Sequence, residues 1–189
     1  MLERLLDEGW SMRVLVRDAS KLEASVRQRV EVAEGDAESD EDLARAMAEA
    51  KVAWFLMDSM GGDGDFAKTE RSIAEAFAKA AAGSGVERIV YLGGLHPGEE
   101  DLSEHLASRV AVGEILMGSG VPTAAIHAGV VMGAGSASFD MLRTLTERLP
   151  AAGGPAWVRN QIQPIDAADA HERWRMMSGS TGTLHTGHF

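Results

Sequence analysis

Short apolar runs alternate with amphipathic stretches along most of this chain, and this alternation is the strongest constraint on its fold. The strand-like runs lie at 12–16, 30–32, 52–57, 88–92 and 123–127. The helical stretches between them lie at 21–28, 40–50, 65–84 and 103–119. Strands that are apolar on both faces are typical of a buried parallel sheet. The sequence therefore predicts an α/β fold, a doubly wound parallel sheet with right-handed crossovers and helices on both faces.

The composition excludes several classes of partner. The 189 residues include 29 acidic and 18 basic side chains, and the formal net charge of -11 repels polyanions. The chain has no cysteine, so it has no thiolate nucleophile and no cysteine-ligated metal, and we expect no other metal site. The longest apolar runs are far shorter than the ~20 residues that cross a bilayer. We expect a cytoplasmic protein with no nucleic-acid or membrane partner.

The first predicted elements come in an unusual order. Residues 2–9 favour a helix that ends in glycine, and Met12 to Val16 favour a strand. In an open α/β nucleotide-binding fold, such a helix follows the first strand, and a G-x-G-x-x-G phosphate loop joins the two. Neither occurs in this sequence, so we expect a sheet that lacks its first strand and its glycine-rich loop. The exposed edges of the flanking strands then predict a homo-oligomer formed through strand edges.

Several segments, taken in order, resemble one family. The matching segments are Ser84 to Leu95, Leu102 to His105, Val112 to Leu116, Ser119 to Pro122 and Ala128 to Gly133, with earlier matches at Val14 to Asp18, Glu34 to Asp36 and Ser59 to Gly62. Their order and spacing resemble the atypical short-chain dehydrogenase/reductase family, and within it the NmrA-like NAD(P)-binding proteins. The resemblance covers about residues 2–169 and implies a Rossmann-like fold. The cofactor would lie across the carboxyl ends of the strands.

Three regions are expected along the chain. Residues 1–133 form the NAD(P)-binding Rossmann-like core, incomplete at its amino end. Residues 134–170 form a partial substrate-side region, where the alternation of strands and helices fades. Residues 171–189, which show little hydrophobic periodicity, form a poorly ordered or aberrant tail.

The resemblance implies that the adenosine half of the cofactor lies near the first two strand exits. Arg17 and Lys21 follow a strand at the position where family members recognise the adenosine ribose. Cations there pair with a 2'-phosphate, whereas a carboxylate favours the 2'-hydroxyl of NAD. We therefore expect NADP(H), with NAD(H) as the alternative. In the other interpretation Arg17 and Lys21 lie in a solvated turn, where Asp18 pairs locally.

Other implied cofactor positions lie at the remaining strand exits and on one helix. Asp36 resembles the residue that hydrogen-bonds the adenine amino group, although it also fits an ordinary turn. The complete set implied for the cofactor is Arg17, Asp18, Lys21, Asp36, Met57, Asp58, Ser59, Gly93, Arg109, Ala128 and Gly129. Small or flexible residues at several of these positions also fit simple loops.

The residues leave catalysis open. Family enzymes use a Tyr, a Lys four residues later on the same helix, and a Ser at the end of the preceding strand. Here the helix has His105 and Arg109, and the strand ends in Gly93 and Gly94. The i, i+4 spacing places His105 and Arg109 on one helix face, and histidine exchanges protons near neutral pH. Both are candidate catalytic residues, with a surface or cofactor-edge histidine as the alternative.

Three hypotheses about function follow. In the first, an NAD(P)-dependent oxidoreductase transfers hydride to an unknown small carbonyl or sugar-like substrate. In the second, the replaced Tyr, Lys and Ser mark a non-catalytic NmrA-like redox sensor or regulator. In the third, the chain is an inactive fragment. Consumption of NADPH distinguishes the first from the second, and cofactor binding distinguishes both from the third.

Overall fold

A computed structural model describes residues 2–57, 66–95, 102–133 and 164–179, the helical residues 139, 140, 143, 144 and 147, and the short strand at 187–188. The helices are α1 (Leu2–Asp7), α2 (Ala24–Arg27), α3 (Asp40–Met47), α4 (Phe66–Ser84), α5 (Glu104–Met117) and α6 (Ala167–Gly179). The strands are β1 (Arg13–Val16), β2 (Glu31–Glu34), β3 (Val52–Phe55), β4 (Arg88–Gly94), β5 (Thr123–Ala128), β6 (Val130–Met132), β7 (Pro164–Asp166) and β8 (Gly187–His188). This order confirms the predicted α/β class. Within these ranges, no helix combines the length and apolar character that crossing a bilayer requires.

Every strand pair in the structure is parallel, but the strands form separate sheets. One sheet has the order β3-β4-β5-β8, and β1 pairs with β2 in a second, two-stranded sheet. A third pair consists of β6 and β7. Because the strands of each sheet are parallel, their carboxyl ends lie at one edge, where the loops carry the predicted site residues.

The break between β1 and β3 is the main irregularity of the fold. In the part of the chain that the structure describes, β1 pairs with β2 and β3 pairs with β4, and no ladder joins β1 to β3. The doubly wound strand order places one further strand between them. The break therefore falls where the sequence analysis expects the first strand of the family. The expected self-association through these edges stays a prediction.

Helix packing and one pair of indole rings connect the two sides of the break. The Arg13 guanidinium of β1 donates to the carbonyls of Ala46 (3.0 Å) and Ala48 (2.6 Å) at the end of α3. Helix α3 packs in turn on α4. On the opposite face, Trp10 meets Trp54 of β3 edge-on, with the ring centroids 6.0 Å apart. These contacts hold β1 near β3 without backbone pairing.

The main core lies between the β3-β4-β5 sheet and helices α3, α4 and α5. The Phe55 ring packs edge-on against Phe77, at 5.1 Å between centroids, and against Tyr91, at 5.9 Å. Helix α4 contributes a stripe of buried apolar side chains, Ile73, Ala74, Phe77, Ala78 and Ala81. Such a stripe is what the helical periodicity of residues 65–84 predicts.

Local signals account for the ends of the helices that position the site. Ser39 accepts a hydrogen bond from the Asp42 amide at the start of α3, and Ser103 accepts one from the Leu106 amide at the start of α5. Gly85 follows α4 with a φ of 74°, the left-handed conformation that glycine adopts at helix ends without steric cost. These caps fix where α3 and α5 begin, beside the exits of β2 and β4.

Helix α6 is an element that the sequence analysis did not predict. It runs across residue 170, the expected end of the substrate-side region, and includes the first part of the segment expected to be poorly ordered. The Asp166 carboxylate accepts from the Ala168 amide at its start (2.7 Å). Among the α6 positions whose burial the structure describes, the buried ones are Ala170 and His171 rather than large aliphatic residues, so hydrophobic periodicity gave no signal there.

His171 is buried in the fold, only 5% exposed, and its Nε2 has no hydrogen-bond partner among the described residues. Burial lowers the pKa of this imidazole, and the positive charges of Arg4 and Arg175 act in the same direction, against the carboxylate of Glu8. Charging the ring in this environment is unfavourable because the imidazolium loses hydration without gaining a hydrogen bond.

This lowered pKa predicts a pH-dependent contribution to stability. Above the unfolded value of about 6.5, His171 is neutral in both states and incurs no penalty. As the pH falls below that value, the unfolded chain takes up the proton first, and stability decreases until the folded pKa is passed. We expect the native protein to lose more unfolding free energy between pH 7.5 and 5.5 than His171→Gln, as measured by urea denaturation. Equal losses in the two proteins would contradict this account.

Candidate functional site

The exits of β1 and β2 bring the first group of predicted residues together. The pairing of Val16 with Glu34 continues past the strand ends, where the Gly35 amide donates to the Val16 carbonyl (3.0 Å). Arg17 and Asp36 therefore follow two adjacent strands at the same edge. Arg17 and Lys21 are exposed, which leaves two cationic side chains facing solvent at this exit.

Asp18 supports the loop that carries the two cations. Its Oδ1 accepts hydrogen bonds from the amide (2.9 Å) and the hydroxyl (2.6 Å) of Ser20, which cap the 3₁₀ turn Ala19–Lys21. These two bonds lower the pKa of Asp18, and the charge of Lys21 adds to the effect. The carboxylate is therefore ionised near neutral pH and is bonded within the turn, as in the local pairing that the sequence left open.

Asp36 is held in a similar local arrangement after β2. Its Oδ1 accepts from the Glu38 amide (3.0 Å), and its own amide donates to the Asp42 carboxylate (2.9 Å). The preceding Gly35 leaves the space that Asp42 needs, since a Cβ there would lie 2.6 Å from the Asp42 Cγ. The bond to the Asp36 amide lowers the pKa of Asp42. The loop is thus fixed by the chain's own carboxylates.

The exits of β3, β4 and β5 bring the second group together. Phe55 pairs with Tyr91, and Gly93 pairs with His127, so Met57, Gly93 and Ala128 lie at one edge of this sheet. The ladder continues beyond the strands, where the Leu95 amide donates to the Ala128 carbonyl (3.0 Å). Gly129 follows Ala128 directly and is exposed. The predicted residues Asp58 and Ser59 lie outside the described residues.

Gly93 lies in a tight space between two rings. A Cβ at this position would lie 3.1 Å from the Tyr91 Cε1 and 3.2 Å from the His127 Nδ1. His127 is buried, and its Nδ1 is 3.1 Å from the Gly94 carbonyl oxygen. No sequence pattern marks this histidine, because it lies near the end of an apolar strand and has no polar neighbours in sequence.

His105 and Arg109 lie on the same face of α5, as their spacing predicts. Both face α4, where their partners are also four residues apart. The His105 ring lies 6.2 Å from the Phe66 ring, and the Arg109 guanidinium bonds to Glu70. His105 is half-buried in the first turn of α5.

The Arg109 guanidinium joins four elements. Its Nη1 donates to the Met57 carbonyl (2.7 Å) and to the Glu70 Oε1 (2.8 Å). Its Nη2 donates to the Leu92 carbonyl (2.7 Å), and its Cζ lies 5.4 Å from the centre of the Tyr91 ring. Both terminal nitrogens are therefore bonded to the protein itself, at the exits of β3 and β4.

Glu70 is a buried site residue that the sequence analysis did not single out. It is 2% exposed, and its second oxygen accepts from the Ser108 hydroxyl (2.6 Å). Its position between Phe66 and Ile73 in the α4 stripe was the available signal, because an acid inside an apolar helix face requires a partner. Ser108, next to Arg109 on α5, gave no separate signal.

Tyr91 is the chain's only tyrosine, and it is fully buried beside Arg109. Its hydroxyl donates to the Arg109 carbonyl (2.7 Å). Burial raises the pKa of Tyr91 to about 12, although the Arg109 charge opposes this shift. The phenol therefore stays protonated at neutral pH.

The two groups have different chemical properties. The β1–β2 exit has exposed cations on a carboxylate-capped loop, which suits a phosphate. At the β3–β5 exit, β4 ends in Gly93 and Gly94, and Arg109 and Glu70 form a buried polar network beside them. This arrangement suits the close approach of a flat ring system. A glycine-rich loop that could hold a pyrophosphate is not among the described residues. The same residues contain no group of three or more His, Asp or Glu side chains placed to hold a metal ion.

Comparison with known families identifies the class of cofactor. Residues 1–119 match the model of a family described as NAD(P)H-binding. The chain belongs to this NAD(P)H-binding family. The predicted cofactor class, NADP or NAD, is thereby confirmed. No curated protein matches the sequence.

Several solved structures share the fold. The nucleoside-diphosphate-sugar epimerase of Staphylococcus aureus is 17% identical, with a TM-score of 0.63 over 78% of this chain and 49% of that one. The Citrobacter sp. triphenylmethane reductase complexed with NADP(H) is 21% identical, with a TM-score of 0.60 over 77% of this chain and 50% of that one. The Bordetella bronchiseptica enzyme WbmG in complex with NAD is 17% identical, with a TM-score of 0.72 over 98% of this chain and 66% of that one.

These matches confirm the Rossmann-like fold and the resemblance to atypical short-chain dehydrogenases/reductases. The chain spans about half the length of the epimerase and reductase structures it matches. The assignment to the NmrA-like branch and the roles of the individual site residues stay predictions.

The crowding at Gly93 predicts that an added Cβ destabilises the protein more at Gly93 than at the neighbouring Gly94. We expect Gly93→Ala to destabilise the protein by about 1–3 kcal/mol, because the added methyl meets two buried rings. Gly94→Ala meets only the terminal Cδ2 of Leu106, at 2.8 Å, which a rotamer change relieves. Gly83→Ala in α4, with open space around its Cβ position, is the control. Thermal unfolding checks the order, and a Gly93→Ala protein as stable as the Gly83→Ala protein would contradict it.

Proposed function

We propose that this NAD(P)H-binding chain prefers NADP(H) and holds it across the two groups of strand exits. The adenosine 2'-phosphate lies at the β1 exit, and the nicotinamide half lies over Gly93 at the β4 exit. The observation that carries the preference is the arrangement at the β1 exit. Arg17 and Lys21 are exposed, whereas the Asp18 carboxylate is bonded to Ser20.

This arrangement favours a phosphate over a ribose hydroxyl for two reasons. A carboxylate that selects NAD must turn toward the 2'-hydroxyl, whereas both Ser20 bonds to Oδ1 hold the Asp18 carboxylate within its own turn. A guanidinium or ammonium that selects NADP needs only to reach the 2'-phosphate from solvent, which the exposed Arg17 and Lys21 can do. The overall charge of -11 repels an anionic ligand, so these local cations are needed for attraction.

Arg17→Ala tests the preference. We expect the ratio of NADP(H) affinity to NAD(H) affinity to fall about tenfold, since a charge-assisted hydrogen bond contributes about 1.5–3 kcal/mol. Isothermal titration calorimetry with both cofactors measures the ratio. Arg27→Ala, which removes an exposed arginine from the end of α2, is the matched control. An unchanged ratio in the Arg17→Ala protein would overturn the assignment.

We propose hydride transfer to a small carbonyl or sugar-like substrate as the chemistry of this site, with His105 as the proton donor. His105 lies half-buried in the first turn of α5, on the face that carries Arg109 toward the exits of β3 and β4. An imidazole at this position can deliver a proton to the oxygen that develops negative charge as hydride arrives.

His105→Phe tests this role. We expect NADPH turnover to fall by roughly 100-fold or more, with cofactor affinity nearly unchanged, because the ring shape is retained and the proton is lost. Spectrophotometric assays with small aldehydes, ketones and sugar nucleotides measure turnover, and calorimetry measures affinity. Turnover equal to that of the native protein would remove His105 from the mechanism.

A non-catalytic redox sensor or regulator is the second candidate, and two observations favour it. The serine position is occupied by Gly93, where even a Cβ would lie 3.1 Å from the Tyr91 ring. The lysine position is occupied by Arg109, whose terminal nitrogens bond to Glu70, Met57 and Leu92. Tight binding of NADP(H) without consumption of NADPH by any of the tested substrates would support this candidate over the oxidoreductase.

A further inference from the structure

Arg109 differs from the other predicted site residues because its side chain bonds to the backbone of two strand exits. Its Nη1 contacts the carbonyl of Met57, and its Nη2 contacts the carbonyl of Leu92. Leu92 directly precedes Gly93, and Met57 and Gly93 each lie two residues beyond the last pair of the β3–β4 register, Phe55 with Tyr91. One planar group therefore spans the two exits that border the proposed nicotinamide position.

Glu70 holds this guanidinium from the opposite side. The Arg109 side chain is 12% exposed and the Glu70 side chain 2%, so the pair is shielded from water. The second carboxylate oxygen accepts from Ser108, so each Glu70 oxygen has a partner. The Tyr91 ring lies against the guanidinium, with its hydroxyl bonded to the Arg109 carbonyl. The orientation of the guanidinium is thus over-determined by contacts from α4, α5 and β4.

We propose that Arg109 and Glu70 are positioning residues that fix the spacing of the β3 and β4 exits, and so shape the surface for the nicotinamide half of the dinucleotide. This inference rests on the proposed function and deepens it. Arg109 acts through the Met57 and Leu92 carbonyls rather than by touching the cofactor. The adenosine half, held at the separate β1–β2 exit, does not depend on this pair.

The chemistry of the side chain explains why arginine is needed. A guanidinium presents several N–H donors in one plane, which can reach two carbonyls and a carboxylate at once. A lysine ammonium has its three N–H donors on one nitrogen at the end of a flexible stem, so it can pair with Glu70 but cannot hold both carbonyls in the same geometry. Arg109→Lys therefore keeps the charge but loses the clamp, by which we mean the bonds of Arg109 to the Met57 and Leu92 carbonyls.

The affinities for two ligands distinguish a positioning role from a general destabilisation of the fold. We expect Arg109→Lys to lower the affinity for NADP⁺ by about tenfold or more, while the affinity for adenosine 2',5'-bisphosphate changes by less than about twofold. Glu70→Gln should act in the same direction, and the double variant should lose less than the two single losses combined. Arg71→Lys, which alters an exposed arginine on α4, is the control. Calorimetry measures all affinities.

Hydrogen exchange provides a readout that needs no ligand. The amides of residues 52–57 and 88–94 should exchange faster in Arg109→Lys than in the native protein or in Arg71→Lys, because the two exits lose their common partner. Unchanged exchange in these segments would overturn the clamp.

The binding outcomes keep this inference distinct from the proposed function. Equal losses for NADP⁺ and for the bisphosphate would mean general destabilisation and would overturn the positioning role. Unchanged NADP⁺ affinity in Arg109→Lys would overturn it as well. If the native protein binds neither ligand, the proposed function fails and the cofactor role of the clamp fails with it, whereas the exchange rates still decide whether the clamp exists.

Discussion

The buried ion pair between Arg109 and Glu70 is the interaction on which the β3–β5 side of the site depends. Two charges removed from water are tolerated only when their hydrogen bonds are satisfied, and removing one partner of such a pair costs about 3–5 kcal/mol. Here the carboxylate has two donors, and the guanidinium has the carboxylate and two backbone carbonyls. Because burial requires all of these hydrogen bonds, the pair fixes the geometry of the β3 and β4 exits.

The division of the sheet determines how the site is organised. Backbone pairing fixes β1 against β2, and separately fixes β3, β4 and β5, while α3–α4 packing and the Trp10–Trp54 contact connect the two units. The β1–β2 exit, which carries the cations Arg17 and Lys21, and the β4 exit, which carries Gly93, therefore belong to different sheets. An elongated ligand with a phosphate at one end and a flat ring at the other would contact both. A dinucleotide has that shape, and the family match identifies it as the cofactor class.

The sequence predicted the strands and most helices because a buried parallel sheet requires apolar runs, and its covering helices require a 3.6-residue stripe. The break between β1 and β3 falls where the sequence analysis expects the first strand of the family. Residue pairs remote in sequence were not predictable. Glu70 and Arg109 meet only because α4 and α5 pack together, and one sequence contains no signal for that contact.

Helix α6 and His127 were missed for a related reason. The buried residues that the structure describes in α6 are Ala170 and His171, which a hydrophobic pattern does not identify, and His127 follows apolar residues as if it were part of the core. Asp18 shows the converse. The sequence left its role open between a ribose partner and a local one, and the structure shows the local capping bonds from Ser20, whereas a ribose contact stays a prediction.

The central claim is that one dinucleotide contacts both groups of strand exits. An amide-resolved NMR titration of the native protein with NADP⁺ tests it most directly. The account predicts shifts at Arg17 and Asp18 and at Gly93 and Gly94, with none at Lys51 and Glu87, which precede β3 and β4 at the opposite edge. Shifts confined to the Lys51–Glu87 edge would contradict it, as would the absence of shifts at one or both groups of exits.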